Sequence, residues 1–205
     1  MKVLIADDHA ILRRGVMQAI KEVMPGTVLG EASCETEILD CIAREPWDVL
    51  VLDIGLPARS GLEILKDVKV QKPNLPVLML TVYGEEQYAR RARDYGASGY
   101  LTKDASPEVI CKAIKDVAVG RTVFTERSAV PPRSGDPSSA ESKLSDREEQ
   151  VLRLLASGLT AKEIAAQLNL SIKTVSTYRT RALGKLGLQR TGELIAYGVR
   201  RGLGA

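Results

Sequence analysis

Short apolar runs alternate with amphipathic segments along the first 120 residues. The apolar runs consist mainly of aliphatic and β-branched residues and span residues 3–6, 27–30, 49–53, 77–81 and 99–101. Apolar residues recur at helical spacing in the segments 10–24, 34–44, 61–72, 85–95 and 106–119. Apolar strands separated by amphipathic helices are typical of a parallel sheet covered on both faces. The pattern predicts an α/β, doubly wound, five-stranded parallel sheet with the third strand at its centre.

The C-terminal part of the chain has a purely helical pattern. The Ser-Asp-Arg-Glu sequence at 145–148 and the Thr-Ala-Lys-Glu sequence at 160–163 have the form of capping boxes, and apolar residues at helical spacing follow each of them. Ser171 is expected to cap a third helix that ends near residue 186, and Thr191 a fourth that ends near residue 201. Four short helices predict a second, small all-α domain.

Between these two regions the composition changes to Ser, Pro, Gly and charged residues. Residues 124–142 include two consecutive prolines and the Ser-Gly-Asp-Pro-Ser-Ser sequence at 134–139. A segment with so few apolar residues buries little surface to offset the entropy of ordering it. We therefore expect a first domain at residues 1–123, a flexible linker at 124–142 and a helical domain at 143–205.

The near-neutral total charge conceals an asymmetry. The whole chain carries 29 basic and 26 acidic residues, a net charge of +3. Residues 1–123 contribute 16 basic and 18 acidic side chains, whereas residues 143–205 contribute 11 and 5, a net charge of +6. A basic domain indicates a nucleic acid or another anionic surface as its partner.

Composition excludes several classes of protein. The N-terminal apolar run, residues 3–6, is shorter than the stretch of about 7 to 15 residues in a secretory signal. No run approaches the roughly 18 apolar residues of a membrane helix. Three cysteines without a Cys-x-x-Cys pair, and a single histidine, argue against a Cys/His zinc site and for free thiols. We expect a cytoplasmic protein without a membrane partner.

Polar side chains follow four of the predicted strands. Asp7 and Asp8 follow the first, Asp53 ends the third, Thr81 ends the fourth and Lys103 follows the fifth. Because the carboxyl ends of parallel strands meet at one edge of the sheet, we expect these groups to converge. Three carboxylates repel one another unless a cation joins them, and an oxygen-lined site suits Mg²⁺. A metal and a lysine would together neutralise a phosphoryl group and leave one carboxylate to attack phosphorus, which yields an aspartyl phosphate.

Each of these residues taken alone has a simpler explanation. An aspartate after a strand is often only a helix cap, and a lysine there is usually a solvated charge. The five together support a site much more strongly than any one of them. The sequence contains no Gly-rich phosphate loop, which argues against a nucleotide-binding enzyme on this sheet.

Four motifs resemble the CheY-like receiver domain of two-component response regulators, which has a flavodoxin-like fold. They are the Asp7-Asp8 pair, the Val-Leu-Asp-Ile-Gly-Leu-Pro sequence at 51–57 with Gly61, the Met-Leu-Thr sequence at 79–81 and the Gly-Ala-Ser-Gly-Tyr-Leu-Thr-Lys sequence at 96–103. The resemblance covers about residues 1–120. It implies that a sensor histidine kinase is a partner and that Mg²⁺ is the cofactor.

The resemblance also implies a role for each polar residue of this edge. Asp53 is the expected phosphoacceptor. The expected metal ligands are the carboxylates of Asp8 and Asp53 and the backbone carbonyl of Gly55. Asp7 is expected to act through water. Thr81 and Lys103 are expected to contact the phosphoryl oxygens, and Thr81 and Tyr100 to form the switch.

The sequence departs from the family at one position and is informative at two others. Asp104 follows the lysine where many receivers have proline. Gly55 and Tyr83 occupy the positions, each two residues beyond a site residue, that tune hydrolysis of the phosphoryl group in the family. Gly55 has no side chain to orient water, so the sequence predicts slow self-dephosphorylation.

The third helix of the C-terminal domain has two contrasting faces. Val175, Ala182, Leu183 and Leu186 form a predicted buried stripe. With a preceding helix at 164–168 and a turn at 169–171, the spacing is that of a helix-turn-helix. The opposite face and its flanks offer hydroxyl groups for base edges and cations for phosphates. The expected DNA-binding residues are Lys162, Lys173, Thr174, Ser176, Thr177, Thr180, Arg179, Arg181 and Lys185. The alternative is a merely solvated helix surface.

Residues 143–203 resemble the LuxR-type output domain. The resemblance is carried by the Leu-Ser-Asp-Arg-Glu sequence at 144–148, the Gly-Leu-Thr-Ala-Lys-Glu-Ile-Ala sequence at 158–165 and the Lys-Thr-Val-Ser-Thr-Tyr sequence at 173–178. Receiver and output together are similar to the NarL/FixJ family, and the helix-turn-helix looks most like the branch of regulators such as BvgA, EvgA and GacA. Ser176 replaces the groove lysine of the commoner pattern.

The resemblance implies a transcription factor, not an enzyme, that binds double-stranded DNA when Asp53 is phosphorylated. Family members commonly dimerise through the last helix, here about 191–201, where Leu194, Ile195, Tyr197 and Gly198 form either a dimer seam or part of the core. Two alternatives stay open. The first is a DNA-binding regulator that does not depend on phosphorylation, and the second is a Mg²⁺-dependent phosphohydrolase.

Overall fold

The computed structural model describes residues 1–56, 59–82, 86–124, 144–168, 170–201 and 203. The chain divides into two compact units, Met1–Val130 and Pro131–Ala205. The predicted linker lies outside the described residues except for Phe124. Within the described part of the chain, no helix has the length and apolar character that a membrane span needs.

The first unit is a five-stranded parallel sheet with helices on both faces. Its strands are β1 (Lys2–Ala6), β2 (Val28–Ala32), β3 (Val49–Leu52), β4 (Val77–Thr81) and β5 (Gly99–Thr102). Its helices are α1 (Ala10–Val23), α2 (Glu35–Arg44), α3 (Gly61–Gln71), α4 (Glu86–Asp94) and α5 (Pro107–Ala118). The strand order β2-β1-β3-β4-β5 places β3 at the centre, so the predicted fold class and the predicted central strand are confirmed.

Alternate residues of the inner strands enter two separate cores. Leu50 and Leu52 of β3 pack in the cluster that α2, α3 and α4 cover, whereas Val49 and Val51 pack in the cluster that α1 and α5 cover. All four side chains are at most 2% exposed. Successive side chains of a strand point to opposite faces, so burial on both faces requires an uninterrupted apolar run.

The predicted bounds of the second strand were wrong. The strand was expected at residues 27–30 but spans Val28–Ala32. Thr27 belongs to the turn after α1, because its hydroxyl group donates a hydrogen bond to the Met24 carbonyl at 2.8 Å. The strand continues through the polar Glu31, which is exposed at the edge of the sheet and pairs with Arg13 Nε at 3.0 Å.

The second unit contains α6 (Asp146–Ala156), α7 (Ala161–Gln167), α8 (Ile172–Leu186) and α9 (Thr191–Arg200). The predicted capping boxes at 145–148 and 160–163 are present, and the Ser171 hydroxyl accepts a hydrogen bond from Thr174 N–H at 3.0 Å. Gly187 ends α8 in the left-handed conformation, φ 68°, which favours glycine. Thr191 was wrongly predicted as the cap of α9, since the cap position is Arg190.

Candidate functional site

Two aspartates lie directly after the carboxyl ends of the strands β1 and β3. Asp7 follows β1 and Asp53 follows β3, and their side chains are 6% and 3% exposed. Asp53 N–H donates to the Ala6 carbonyl at 2.9 Å, and Asp7 N–H donates to the Ala32 carbonyl at 3.1 Å. These bonds extend the sheet ladder by one residue beyond the strands and so fix where both carboxylates lie.

Lys103 lies between these carboxylates. Its Nζ is 2.8 Å from Asp53 Oδ2 and 2.7 Å from Asp7 Oδ2. The backbone N–H of Lys103 donates to the Thr81 carbonyl at 2.8 Å. Burial alone would lower the pKa of Lys103, but the two carboxylates outweigh burial and raise that pKa above its ordinary value. The site therefore holds a fixed buried cation beside Asp53.

The pocket has the donor set of a hard divalent cation. Ligand atoms of Asp7, Asp8, His9 and Asp53 all lie within 4.8 Å of one another. Among the described residues, none donates a hydrogen bond to Asp53 Oδ1, although this atom is buried. A buried carboxylate oxygen without a donor, next to further carboxylates, fits an ion such as Mg²⁺. Both Asp7 oxygens are already engaged, by Lys103 and by His9 N–H at 2.8 Å, which suits a contact through water.

His9 is a neighbour of the site that the sequence interpretation missed. Its Nδ1 lies 2.8 Å from Asp8 Oδ1 and 3.3 Å from Asp7 Oδ1. The residue is half exposed, so it forms the solvent side of the pocket. Its only signal in the sequence is its position directly after the acidic pair.

The loop after Asp53 depends on two glycines. Gly55 lies close to the Asp53 carboxylate, since a Cβ atom there would be 3.0 Å from Asp53 Oδ2. Gly61 begins α3, donates its N–H to the Ile54 carbonyl at 2.9 Å and leaves no space for a side chain. A Cβ atom at Gly61 would lie 1.9 Å from the Asp53 carbonyl oxygen, so only glycine allows α3 to approach the loop.

The two expected switch residues lie on neighbouring strands. Thr81 on β4 and Tyr100 on β5 are 0% and 6% exposed. Tyr100 pairs with Met79, which lies two residues before Thr81 and therefore on the same face of the sheet. The two expected switch residues thus share the face that α4 covers.

Two further positions were singled out in the sequence. Tyr83 lies outside the described residues. Asp104, which follows Lys103, accepts a hydrogen bond from the Thr102 hydroxyl.

The predicted DNA-binding face of α8 is exposed, and its hydroxyl groups are bonded within the helix. The Thr177 hydroxyl donates to the Lys173 carbonyl at 3.0 Å, and the Thr180 hydroxyl donates to the Ser176 carbonyl at 2.9 Å. Their oxygens can still accept a hydrogen bond from a base, whereas donation would require rotation. The opposite stripe is buried as predicted at Val175 and Ala182 and partly buried at Leu183 and Leu186.

The last helix supplies part of its own domain core. Leu194 and Gly198 are buried, and a Cβ atom at Gly198 would lie 2.8 Å from Ala156 Cβ. Ile195 and Tyr197 are partly buried against the same cluster. Of the two alternatives for these four residues, their packing favours the domain core.

Lys185 has a partner inside its own domain. Its Nζ lies 2.7 Å from Glu148 Oε2, a side chain that is 3% exposed. Burial alone would raise the pKa of Glu148, but hydrogen bonds from Lys185 and from Ser145 N–H together hold that pKa below its ordinary value. Lys185 remains an expected phosphate contact, since its side chain is 44% exposed, and its ammonium group also joins α8 to the start of α6.

We predict that Lys185→Met lowers the free energy of unfolding by about 1–3 kcal/mol at neutral pH, because it leaves a buried acceptor without its cation. A lowered pKa stabilises the fold above the unfolded-state value near 4.5, and this stabilisation disappears as the pH falls through the folded-state pKa. Thermal melts from pH 7 to pH 3 should therefore show a weaker acid dependence in the variant. DNA binding can be titrated with salt, and the slope of log affinity against log salt concentration is then compared between the variant and the unmodified chain. A slope whose magnitude is reduced by about 0.9 in the variant would identify Lys185 as a phosphate contact.

The fold and the two sites define a class of protein. A buried Asp53–Lys103 pair lies at the carboxyl edge of a parallel sheet, and a basic helix-turn-helix domain follows in the same chain. This combination defines a response regulator with a receiver domain and a DNA-binding domain.

Known proteins share both parts. Residues 3–115 match the response regulator receiver domain, and residues 142–197 match bacterial regulatory proteins of the luxR family. The chain is 36% identical over 195 residues to the DNA-binding transcriptional activator DevR/DosR of Mycobacterium tuberculosis, covering 93% of this chain and 90% of that protein. It is 37% identical over 208 residues to the virulence-factor transcription regulator BvgA of Bordetella pertussis, covering 98% of each.

A solved structure matches this chain over nearly its whole length. RcsB from Salmonella enterica serovar Typhimurium, bound to promoter rprA in the presence of the phosphomimetic BeF3−, superimposes with a TM-score of 0.56 and 30% identity. The match covers 96% of this chain and 97% of that one. The chain belongs to the NarL/FixJ family of response regulators, as the sequence motifs predicted.

Proposed function

We propose that a sensor histidine kinase transfers a phosphoryl group to Asp53 and that this transfer controls binding of the C-terminal domain to double-stranded DNA. The observation that carries the proposal is the buried Asp53 carboxylate, with Lys103 on one oxygen and no described donor on the other. The carboxylate attacks phosphorus while the bond from phosphorus to the donor breaks. Lys103 neutralises the arriving charge without having to move into the site.

Mg²⁺, when bound, offsets the charge of the transferring phosphoryl group. We infer that Asp8, Asp53 and the Gly55 carbonyl hold it and that Asp7 contributes through water. We also assign Thr81 to the phosphoryl oxygens, with Tyr100 following it towards the site as the second switch residue. The shared sheet face and the burial of Thr81 and Tyr100 support this pairing.

We propose that the output domain binds DNA as a dimer with α8 in the major groove. The net charge of +6 in residues 143–205 supports attraction to phosphates. Two recognition helices related by a twofold axis would meet half-sites about 10 bp apart. The proposed contacts on and beside α8 are Lys162, Lys173, Thr174, Ser176, Thr177, Thr180, Arg179, Arg181 and Lys185.

The remaining parts of the proposal concern organisation. We infer a receiver at residues 1–123, a linker at 124–142 and a DNA-binding domain at 143–205, which the family matches at 3–115 and 142–197 support. The family consists of transcription regulators, and we propose that this chain acts in the cytoplasm without an enzymatic activity of its own. Its partners are then the kinase, DNA and a second copy of the chain.

The proposal is tested by selecting bound fragments from the source genome with the full chain, with and without acetyl phosphate. We expect a defined set of fragments to be enriched only, or much more strongly, with the phosphodonor. Identical enrichment of the same fragments in both samples would contradict control by phosphorylation. Absence of any enriched fragment in both samples would contradict sequence-specific DNA binding.

We predict that the phosphorylated chain loses its phosphoryl group slowly. Gly55 packs against Asp53 Oδ2 and has no side chain to orient an attacking water. After removal of acetyl phosphate, phosphate-affinity gels should show a phosphoryl half-life of minutes or longer. Gly55→Asn is expected to shorten it, and a half-life of seconds in the unmodified chain would contradict the prediction.

A further inference from the structure

The chain beyond α5 returns to the edge of the sheet and pairs with β5. Val123 N–H donates to the Ser98 carbonyl at 2.9 Å, and Tyr100 N–H donates to the Val123 carbonyl at 2.8 Å. The two bonds form a parallel bridge between Gly99 and Val123. Because β5 is an edge strand, this segment covers backbone groups that the sheet itself leaves open. One of the two hydrogen bonds is donated by the backbone N–H of Tyr100, the proposed switch residue.

The side chains of this segment contact both faces of the sheet. Val123 packs on the cluster under α1 and α5, whereas Phe124 packs on the opposite cluster, which contains Tyr100. The Arg93 guanidinium lies 4.3 Å from the centre of the Phe124 ring. Arg93 is in the last turn of α4, so Phe124, the single phenylalanine of the chain, joins β5 to α4.

Gly99 allows the segment to approach this closely. A Cβ atom at this position would lie 3.0 Å from the Val123 carbonyl oxygen and 3.1 Å from Val123 Cβ. A strand glycine often marks a close approach of another backbone. The edge of β5 is therefore shaped to accept this segment, whose second residue, Phe124, is the first residue of the predicted linker.

We propose that the β5 edge at Ser98–Tyr100, together with Arg93 of α4, is a docking surface for Val123 and Phe124 that phosphorylation releases. The inference rests on the proposed function, in which Tyr100 moves towards the phosphoryl group. Among the described residues, the segment bonds to Ser98, directly before β5, and to Tyr100 in β5, and its ring contacts Arg93 of α4. A single bridge of two hydrogen bonds opens with small displacements, unlike the inner strands. Its release adds Val123 and Phe124 to the length of chain between the two domains and lets two output domains reach DNA together.

Amide exchange in the unmodified full chain tests the proposal directly. NMR exchange rates are measured with Mg²⁺, with and without acetyl phosphate, while intact mass follows phosphorylation of Asp53. We expect exchange of the Tyr100 and Val123 amides to accelerate at least about tenfold on phosphorylation, whereas the Leu50 amide of β3 stays unchanged. Phosphorylation with unchanged exchange at Tyr100 and Val123 overturns this proposal alone. Absence of phosphorylation contradicts the proposed function as well.

A matched pair of variants tests the consequence for DNA binding. Phe124→Ala removes the ring that Arg93 contacts, whereas Tyr95→Ala removes a ring whose centre lies 3.8 Å from Lys66 Nζ of α3. For a selected fragment, the affinity ratio with and without phosphodonor should fall at least fivefold in Phe124→Ala, because the unphosphorylated chain binds more tightly. The ratio should stay unchanged in Tyr95→Ala. An unchanged ratio in folded Phe124→Ala, or an equal fall in both variants, overturns the proposal.

Discussion

Asp53→Asn is expected to abolish uptake of a phosphoryl group from acetyl phosphate. The amide is a far weaker nucleophile than the carboxylate, and it leaves the Lys103 cation, which lies 2.8 Å from Asp53 Oδ2, without one of its two anions. Phosphate-affinity gels and intact mass should show only the unmodified chain. Loss of the charge should also weaken the proposed Mg²⁺ site, because the variant removes one of the anionic groups assigned to it.

The matched control for this variant is Asp40→Asn. Asp40 is an exposed carboxylate on α2, 3.8 Å from Arg44, and the same change there should leave phosphoryl uptake unchanged. A thermal melt establishes that the Asp53→Asn chain is folded. Undiminished labelling of a folded Asp53→Asn variant would place the phosphoacceptor elsewhere in the chain.

Gly61→Ala is expected to destabilise the first domain by about 1–3 kcal/mol or more and to reduce phosphoryl uptake strongly. The new Cβ atom would lie 1.9 Å from the Asp53 carbonyl oxygen and 2.9 Å from Ile54 Cα, both backbone atoms that cannot move aside alone. The loop that positions Asp53 must then shift away from α3. Thermal unfolding and the rate of labelling by acetyl phosphate measure the two effects.

Gly15→Ala is the control for the Gly61 substitution. Gly15 lies inside α1, and a Cβ atom there meets no described atom within 4 Å. The same substitution should therefore stabilise the chain by about 0.5–1 kcal/mol and leave labelling unchanged. Equal stability and equal labelling of the Gly61→Ala and unmodified chains would contradict the role assigned to this glycine.

The sequence predicted the fold because the inner strands of the receiver, β1, β3 and β4, are buried on both faces. Uninterrupted apolar runs such as Val49–Leu52 left no alternative to an inner parallel strand. Prediction was weaker at element ends, where single hydrogen bonds decide the outcome. Thr27 belongs to the preceding turn, and α9 begins at Thr191 itself, so its cap is Arg190, one residue before the expected Thr191.

The convergence of Asp7, Asp53 and Lys103 followed from topology, because the ends of neighbouring parallel strands must meet. Contacts between residues distant in sequence had no comparable signal. The ion pair of Lys185 with Glu148 was not predicted, since nothing in the sequence marked Glu148 as a buried partner of this lysine. The pairing of Val123 with β5 was equally invisible, because one residue of strand has no period.

The measurement that tests the central claim most directly is the affinity of the full chain for a selected DNA fragment, at one salt concentration, with and without acetyl phosphate and Mg²⁺. The unmodified chain should bind at least about tenfold more tightly with the phosphodonor. Asp53→Asn should bind equally under both conditions. Equal affinity of the unmodified chain with and without the phosphodonor, while Asp53 is phosphorylated, would contradict the account and favour a DNA-binding regulator that does not depend on phosphorylation.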